Sequence, residues 1–99
     1  MMLNHAVALA ECRSYLAALA DTALNNDAFL DYHGVLLELD WLHGGNLPPV
    51  TPVPTENRRV VYQLGQRTLS QLHEHGLDPF SLAMCQCMLS TAWEREHSR

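Results

Sequence analysis

Apolar residues recur at helical spacing in four stretches of the chain. In the first, about residues 3–24, Leu9, Cys12, Leu16 and Leu19 fall at i, i+3, i+7 and i+10, which is one stripe of a helix. Ala6, Ala10 and Ala17 lie on the opposite side, small enough for another helix to come close. Asn25-Asn26-Asp27 then stops the helix and restarts the chain, with Asn26 or Asp27 as the expected N-cap. The second helix, about 27–43, ends at Gly44-Gly45, a C-cap pair. Its apolar residues, among them Phe29, Leu30, Leu36, Leu37, Leu39 and Trp41, cover most of its circumference. Its clearest polar stripe is Asp27, Asp31, Gly34 and Glu38.

Residues 44–54 hold four of the five prolines and cannot be helical. They read as an extended connector, partly polyproline II, long enough to cross a bundle. The third helix, about 55–75, has Thr55 as its expected cap, with Glu56 suited to the helix dipole. Val61, Leu64, Thr68 and Leu72 line one face of it, with Gly65 beside them, and Gly76 ends it. Asp78-Pro79 is a strong start for the fourth helix, about 79–96.

That last helix is apolar in nearly every direction, so more than one side must be covered. Leu82, Cys85, Leu89 and Trp93 form a stripe assigned to the core. Phe80, Met84, Cys87 and Met88 form a second, assigned to an interface. The expected fold is all-α: a single domain over residues 1–99, a four-helix antiparallel bundle with an extended Pro-rich connector between helices 2 and 3. The connector's length leaves a crossover topology open.

Charge narrows the function. The 99 residues carry a formal net charge of −5. Residues 1–50 contain six acids and one base, a balance of −5, whereas residues 51–99 contain five of each, a balance of 0. An acidic chain is poorly suited to nucleic acid or to an anionic membrane. Lysine is absent, which excludes a P-loop, a pyridoxal Schiff base and a lysine nucleophile. Lysine and isoleucine are both missing, which suggests a GC-rich bacterial gene. Three cysteines form no framework, and the N-terminal region lacks the pattern of a signal peptide, so a reducing cytoplasm is expected.

Candidate chemistry is sparse. Cys85 and Cys87 point about 200° apart on a helix, as do His73 and His75, so neither pair can share a metal from one face. His75 is expected to bond a terminal carbonyl of its helix. The serines lie in helical patterns without a nucleophile elbow, so no enzyme is expected. Two carboxylate-x-x-His pairs remain, Asp40 with His43 and Glu94 with His97, each on one helix face. In an up-down-up-down bundle they would meet at one end, joined by His5, Glu11 and Glu56, in the manner of a transition-metal bundle.

The leading expectation is a small acidic protein–protein interaction module of adaptor or inhibitor type, without a cofactor. It would pair with itself through helix 4, at Phe80, Met84, Cys87 and Met88. It would offer Asp27, Asp31 and Glu38 to a basic partner surface. The alternatives are the metal bundle and a bundle binding a small apolar ligand among Tyr15, Trp41, Tyr62 and Trp93.

Overall fold

Each helix starts and stops where its local chemistry directs, with a few shifts imposed from outside. The computed structural model describes residues 3–44, 47–74 and 76–98. Helix α1 spans Leu3–Asp21, α2 Asn26–Leu42, α3 Arg58–Glu74 and α4 Pro79–His97. Helix α1 ends three residues before the expected Leu24. The amide and hydroxyl of Thr22 both donate to the Ala18 carbonyl, and the amide of Leu24 is taken by the Glu96 carboxylate at 3.0 Å. The cap of α2 is Asn25 rather than Asn26 or Asp27; its side chain accepts from the Ala28 amide at 2.8 Å.

Helix α3 begins later than predicted because Thr55 serves a turn and not a cap. The Thr55 hydroxyl accepts from the Asn57 amide, and the Asn57 side chain accepts from the Val60 amide. At the other end Leu77 donates to the Leu72 carbonyl and Gly76 to the His73 carbonyl, a Schellman closure that needs the φ of +97° at Gly76. His75, Gly45 and the expectations attached to them lie outside the described residues. Asp78 caps α4 as expected, accepting from the Ser81 amide at 3.0 Å, with Pro79 in the first turn.

The bundle is all-α, and its order around the core is α1, α2, α4, α3, with α1 and α4 on one diagonal and α2 and α3 on the other. Direction follows from the ends. The imidazoles of His5 and His43 meet at 2.9 Å, so α2 finishes where α1 starts. Arg58 donates to the Leu19 carbonyl and to the Thr22 hydroxyl, so α3 starts where α1 finishes. Glu96 reaches Leu24 and Tyr32 at that same end, so α4 finishes there too. The helices therefore run up, down, down, up, and every packed pair is antiparallel.

The connector makes this order possible by running the length of α1. Fifteen residues lie between Leu42 and Arg58. At about 3.1 Å each in polyproline II they easily span the bundle. Arg13 donates to the Pro48 carbonyl while holding Asp40 at 2.8 Å, and Ser14 accepts from the Thr51 amide at 3.0 Å. The buried Ser14 hydroxyl also donates to the Ala10 carbonyl, so both of its polar capacities are used.

The predicted stripe of α1, Leu9, Cys12, Leu16 and Leu19, is fully buried, facing Val35 and Leu39 of α2, Leu69 and Leu72 of α3, and Cys85 and Leu89 of α4 within one core. Gly65 brings α3 close to both of its neighbours: a Cβ there would lie 3.6 Å from Leu89 Cδ2 and 3.9 Å from Tyr15 Cβ. Gly34 has no such role, because a Cβ there would meet nothing within 4 Å. Glycine in a helix interior costs about 0.5–1 kcal/mol against alanine. Gly34→Ala is therefore expected to raise the thermal midpoint, and an unchanged or lower midpoint would refute this reading. No helix among the described residues is long and apolar enough to cross a membrane.

Candidate functional site

Three sides of α4 have different chemistry. Its inner side places Leu82, Cys85, Leu89 and Ala92 in the core. The side against α3 is a polar seam. There Gln66 donates to the Ser90 hydroxyl at 2.9 Å and to the Gln86 carbonyl, and Gln86 donates to the Ser70 hydroxyl at 3.0 Å. Trp93, expected in the core, is half-buried and stacks on Tyr62 with ring centroids 4.6 Å apart. The remaining side carries the second apolar stripe. Phe80 is 78% exposed, Met84 38% exposed and Cys87 exposed, whereas Met88 is half-buried and packs against the core.

This outer side is concave. A groove of about 580 Å³ runs between α4 and α2, lined by Phe80, Met84, Cys87, Met88 and Thr91, with Asp31 and Arg95 on its rim. Asp31 and Arg95 pair across the rim at 3.6 Å. The exposure of Arg95 makes this a weak surface contact. Glu38 lies two turns along α2 and is near enough to Cys85 for its charge to act on that thiol. Asp27 shares their helix face. Of the acidic row of α2, Asp31 thus borders the groove that the apolar stripe of α4 lines.

The groove is held in place by a charged node at the end of α4. Glu96 is buried and accepts from the Tyr32 hydroxyl at 2.8 Å, the Leu24 amide at 3.0 Å and Arg58 at 2.5 Å. Burial alone would push this carboxyl up. The three hydrogen bonds and the Arg58 charge outweigh it, so its pKa falls below the usual 4.5. The Arg58 guanidinium sits between aromatic rings, 5.7 Å from the Tyr32 centroid and 6.0 Å from that of Trp93. One carboxylate thereby joins the α1–α2 turn, α2, α3 and α4. The burial of Glu96 is not legible in the sequence. An acid among terminal charges gives no sign of burial, although its i−4 neighbour, Ala92, continues the core stripe.

The two buried thiols, Cys12 and Cys85, are poorly disposed to react. Burial pushes Cys12 up to about 12 and Cys85 up to about 11, leaving both protonated at neutral pH. Nor do the carboxylate-x-x-His pairs converge, because α2 and α4 are antiparallel and not parallel as the metal arrangement required. Asp40 and His43 lie at the end where α1 begins, with Asp40 bound to Arg13 and His43 to His5 and to the Leu39 carbonyl. Glu94 and His97 lie at the opposite end, and the His97 ring is bound to the Trp93 carbonyl. Glu56 is at that far end too, just before α3, so it cannot join His5. Among the described residues no three His, Cys, Asp or Glu side chains gather to hold a metal.

The proposed aromatic pocket also separates. Tyr62 and Trp93 fill each other's space, and Trp41 stands 80% exposed on the outside of α2. Leu30 and Leu37 share that outer face, at 58% and 56% exposed. The sequence could not single these three out, since α2 is apolar almost all round. Compared with protein families, curated proteins and solved structures, the chain has no match.

Proposed function

We propose that this chain is a protein–protein interaction module that acts by binding, without a chemical step, and pairs with a second copy of itself through the outer groove of α4. The observation that carries this reading is the groove: an open, mainly apolar channel lined in part by a phenylalanine left 78% exposed. A hydrophobic anchor next to a complementary hollow is the usual composition of an interface centre. Helical spacing supports a self-complementary pairing. Phe80, Met84, Cys87 and Thr91 recur at intervals of 4, 3 and 4, a seam that a second antiparallel α4 can match. In that pairing Met84 of one copy meets Cys87 of the other, and Phe80 meets Thr91. Arg95 is carried toward Asp78 of a second copy, a charge match at each end.

The three free cysteines support a reducing compartment, the cytoplasm. The paired form suits an adaptor or inhibitor, because Asp27 and Glu38 of each copy lie outside the groove lining and offer negative charge to a basic partner.

Native mass spectrometry and sedimentation at micromolar concentration test the proposal. The wild type is expected as a dimer. Phe80→Asp is expected to weaken dimerisation by at least about 30-fold, as for an interface hot spot, with the helical circular dichroism unchanged. A wild type that stays monomeric, or a Phe80→Asp variant as dimeric as wild type, would overturn it.

A further inference from the structure

We propose that the outer face of α2 is a second docking surface, for an amphipathic helix of a different protein that carries arginine or lysine along one edge. The face lies opposite the buried stripe of Ala28, Tyr32, Val35 and Leu39. At 100° per residue, Leu30, Gly34, Leu37 and Trp41 form one line along the helix. Three of these are large apolar residues more than half exposed, and none of the three is part of the core cluster. An ordered apolar line of this kind marks an interaction site more than scattered surface leucines do.

Gly34 stands in the middle of that line. The fold gains nothing from it, since the space beside it is open, yet it weakens the helix that carries it. A glycine there leaves a notch between Leu30 and Leu37, where an incoming helix can bring its backbone close. This is the helix-on-face mode of recognition, read through anchors at i, i+4, i+7 and i+11.

Charge selects the occupant. Helix α2 carries no arginine or lysine and four acids, Asp27, Asp31, Glu38 and Asp40, of which Asp40 is held by Arg13 and Asp31 makes only a weak surface pair with Arg95. Asp31 and Glu38 form the edge of the face on the α4 side, so a helix lying on the apolar line places its own edge beside them. Basic residues on that edge are favoured. A second copy of α2 would set acid against acid, which works against self-pairing here. The same acids repel an anionic bilayer, and helices that lie in membranes carry the opposite charge on their polar face. The apolar line of α2 lies outside the α4 groove, and Asp31 marks the boundary between the two.

The fluorescence of Trp41 reads this directly. The chain has two tryptophans, and Trp93→Phe leaves Trp41 as sole reporter. The probe is a synthetic amphipathic helix with leucine at i, i+3, i+4 and i+7 and arginine along one edge. A twin peptide carries glutamate in place of arginine. The arginine peptide is expected to give a saturable blue shift, and the glutamate twin to bind at least about tenfold more weakly. Leu37→Ser and Gly34→Leu are expected to abolish the shift, whereas Phe80→Asp leaves it in place. The proposal is overturned by the absence of a shift with the arginine peptide, by equal binding of the two peptides, or by insensitivity to Leu37→Ser. Loss of binding in Phe80→Asp overturns it as well, because the peptide would then sit in the α4 groove. So does a blue shift that grows with protein concentration alone, which would place a second copy on this face, or one given by phosphatidylcholine vesicles.

Discussion

Replacing Glu96 by alanine is expected to lower stability by about 4 kcal/mol, the cost of breaking a buried ion pair and leaving its partner without a counter-charge. The change strands Arg58, whose Nε is already a buried polar atom without a hydrogen-bond partner. It also leaves the Tyr32 hydroxyl and the Leu24 amide without their acceptor. Urea unfolding at neutral pH measures the loss directly, and a cost below about 1 kcal/mol, the worth of an exposed pair, would show that the node is not a structural centre.

The same residue sets an acid limb. Its pKa is lower in the folded state than in the unfolded one, so the unfolded chain takes up the proton first. The stabilisation is complete above the ordinary glutamate value of 4.5 and is lost as pH falls from there through the lower folded value. Glu96→Gln removes the titration while keeping the shape. The stability gap between wild type and Glu96→Gln should shrink steadily as pH is lowered from 6 toward 3 (roughly the window over which the carboxyl protonates). A gap that stays constant over that range would contradict the assignment.

Arg13→Ala is expected to cost about 2–3 kcal/mol, less than a fully buried pair because both side chains keep some solvent contact. Arg13 ties three parts of the chain together: α1 itself, Asp40 of α2 and the Pro48 carbonyl of the connector. Its loss should free the connector before it unfolds the bundle. Hydrogen exchange at the Thr51 amide, which donates to Ser14, gives the sharper readout. Protection there should fall by more than global stability does. Arg13→Lys should recover little, because an ammonium cannot serve the carboxylate and the carbonyl in the fork geometry of a guanidinium. If Thr51 loses only as much protection as the core amides, the connector is not held by Arg13.

The helices themselves were legible because their signals are local. Asp78-Pro79 and Gly76 act through backbone geometry within a few residues, and the structure places an N-cap and a left-handed glycine there. The stripe of α1 was equally plain, since Leu9, Cys12, Leu16 and Leu19 admit only one inward direction. Helix bounds shift where a second acceptor, distant or adjacent, competes with the expected one. Leu24 left α1 because Glu96 took its amide, and Asn57 capped α3 in place of Thr55. The candidate site was legible in part. The two stripes of α4 were separable by angle. Helix α2, apolar almost all round, gave no angle to choose, so the exposure of Leu30, Leu37 and Trp41 could not be read from it.

Periodicity along one helix states which residues share a face and where the helix must end. By that rule the sequence determined four helices, their approximate bounds, an extended proline-rich passage and an acidic first half. It does not state which helix that face will meet. Only the tertiary structure decided that the connector runs the length of α1, and this reversed α3 and α4 relative to an up-and-down order. That reversal sent Asp40 and His43 to one end and Glu94 and His97 to the other. It also brought Glu96 into the junction of Leu24, Tyr32 and Arg58 and set Asp31 of α2 on the rim of the α4 groove. The physical reason is that these relations join residues dozens of positions apart, through contacts that exist only after the helices have packed.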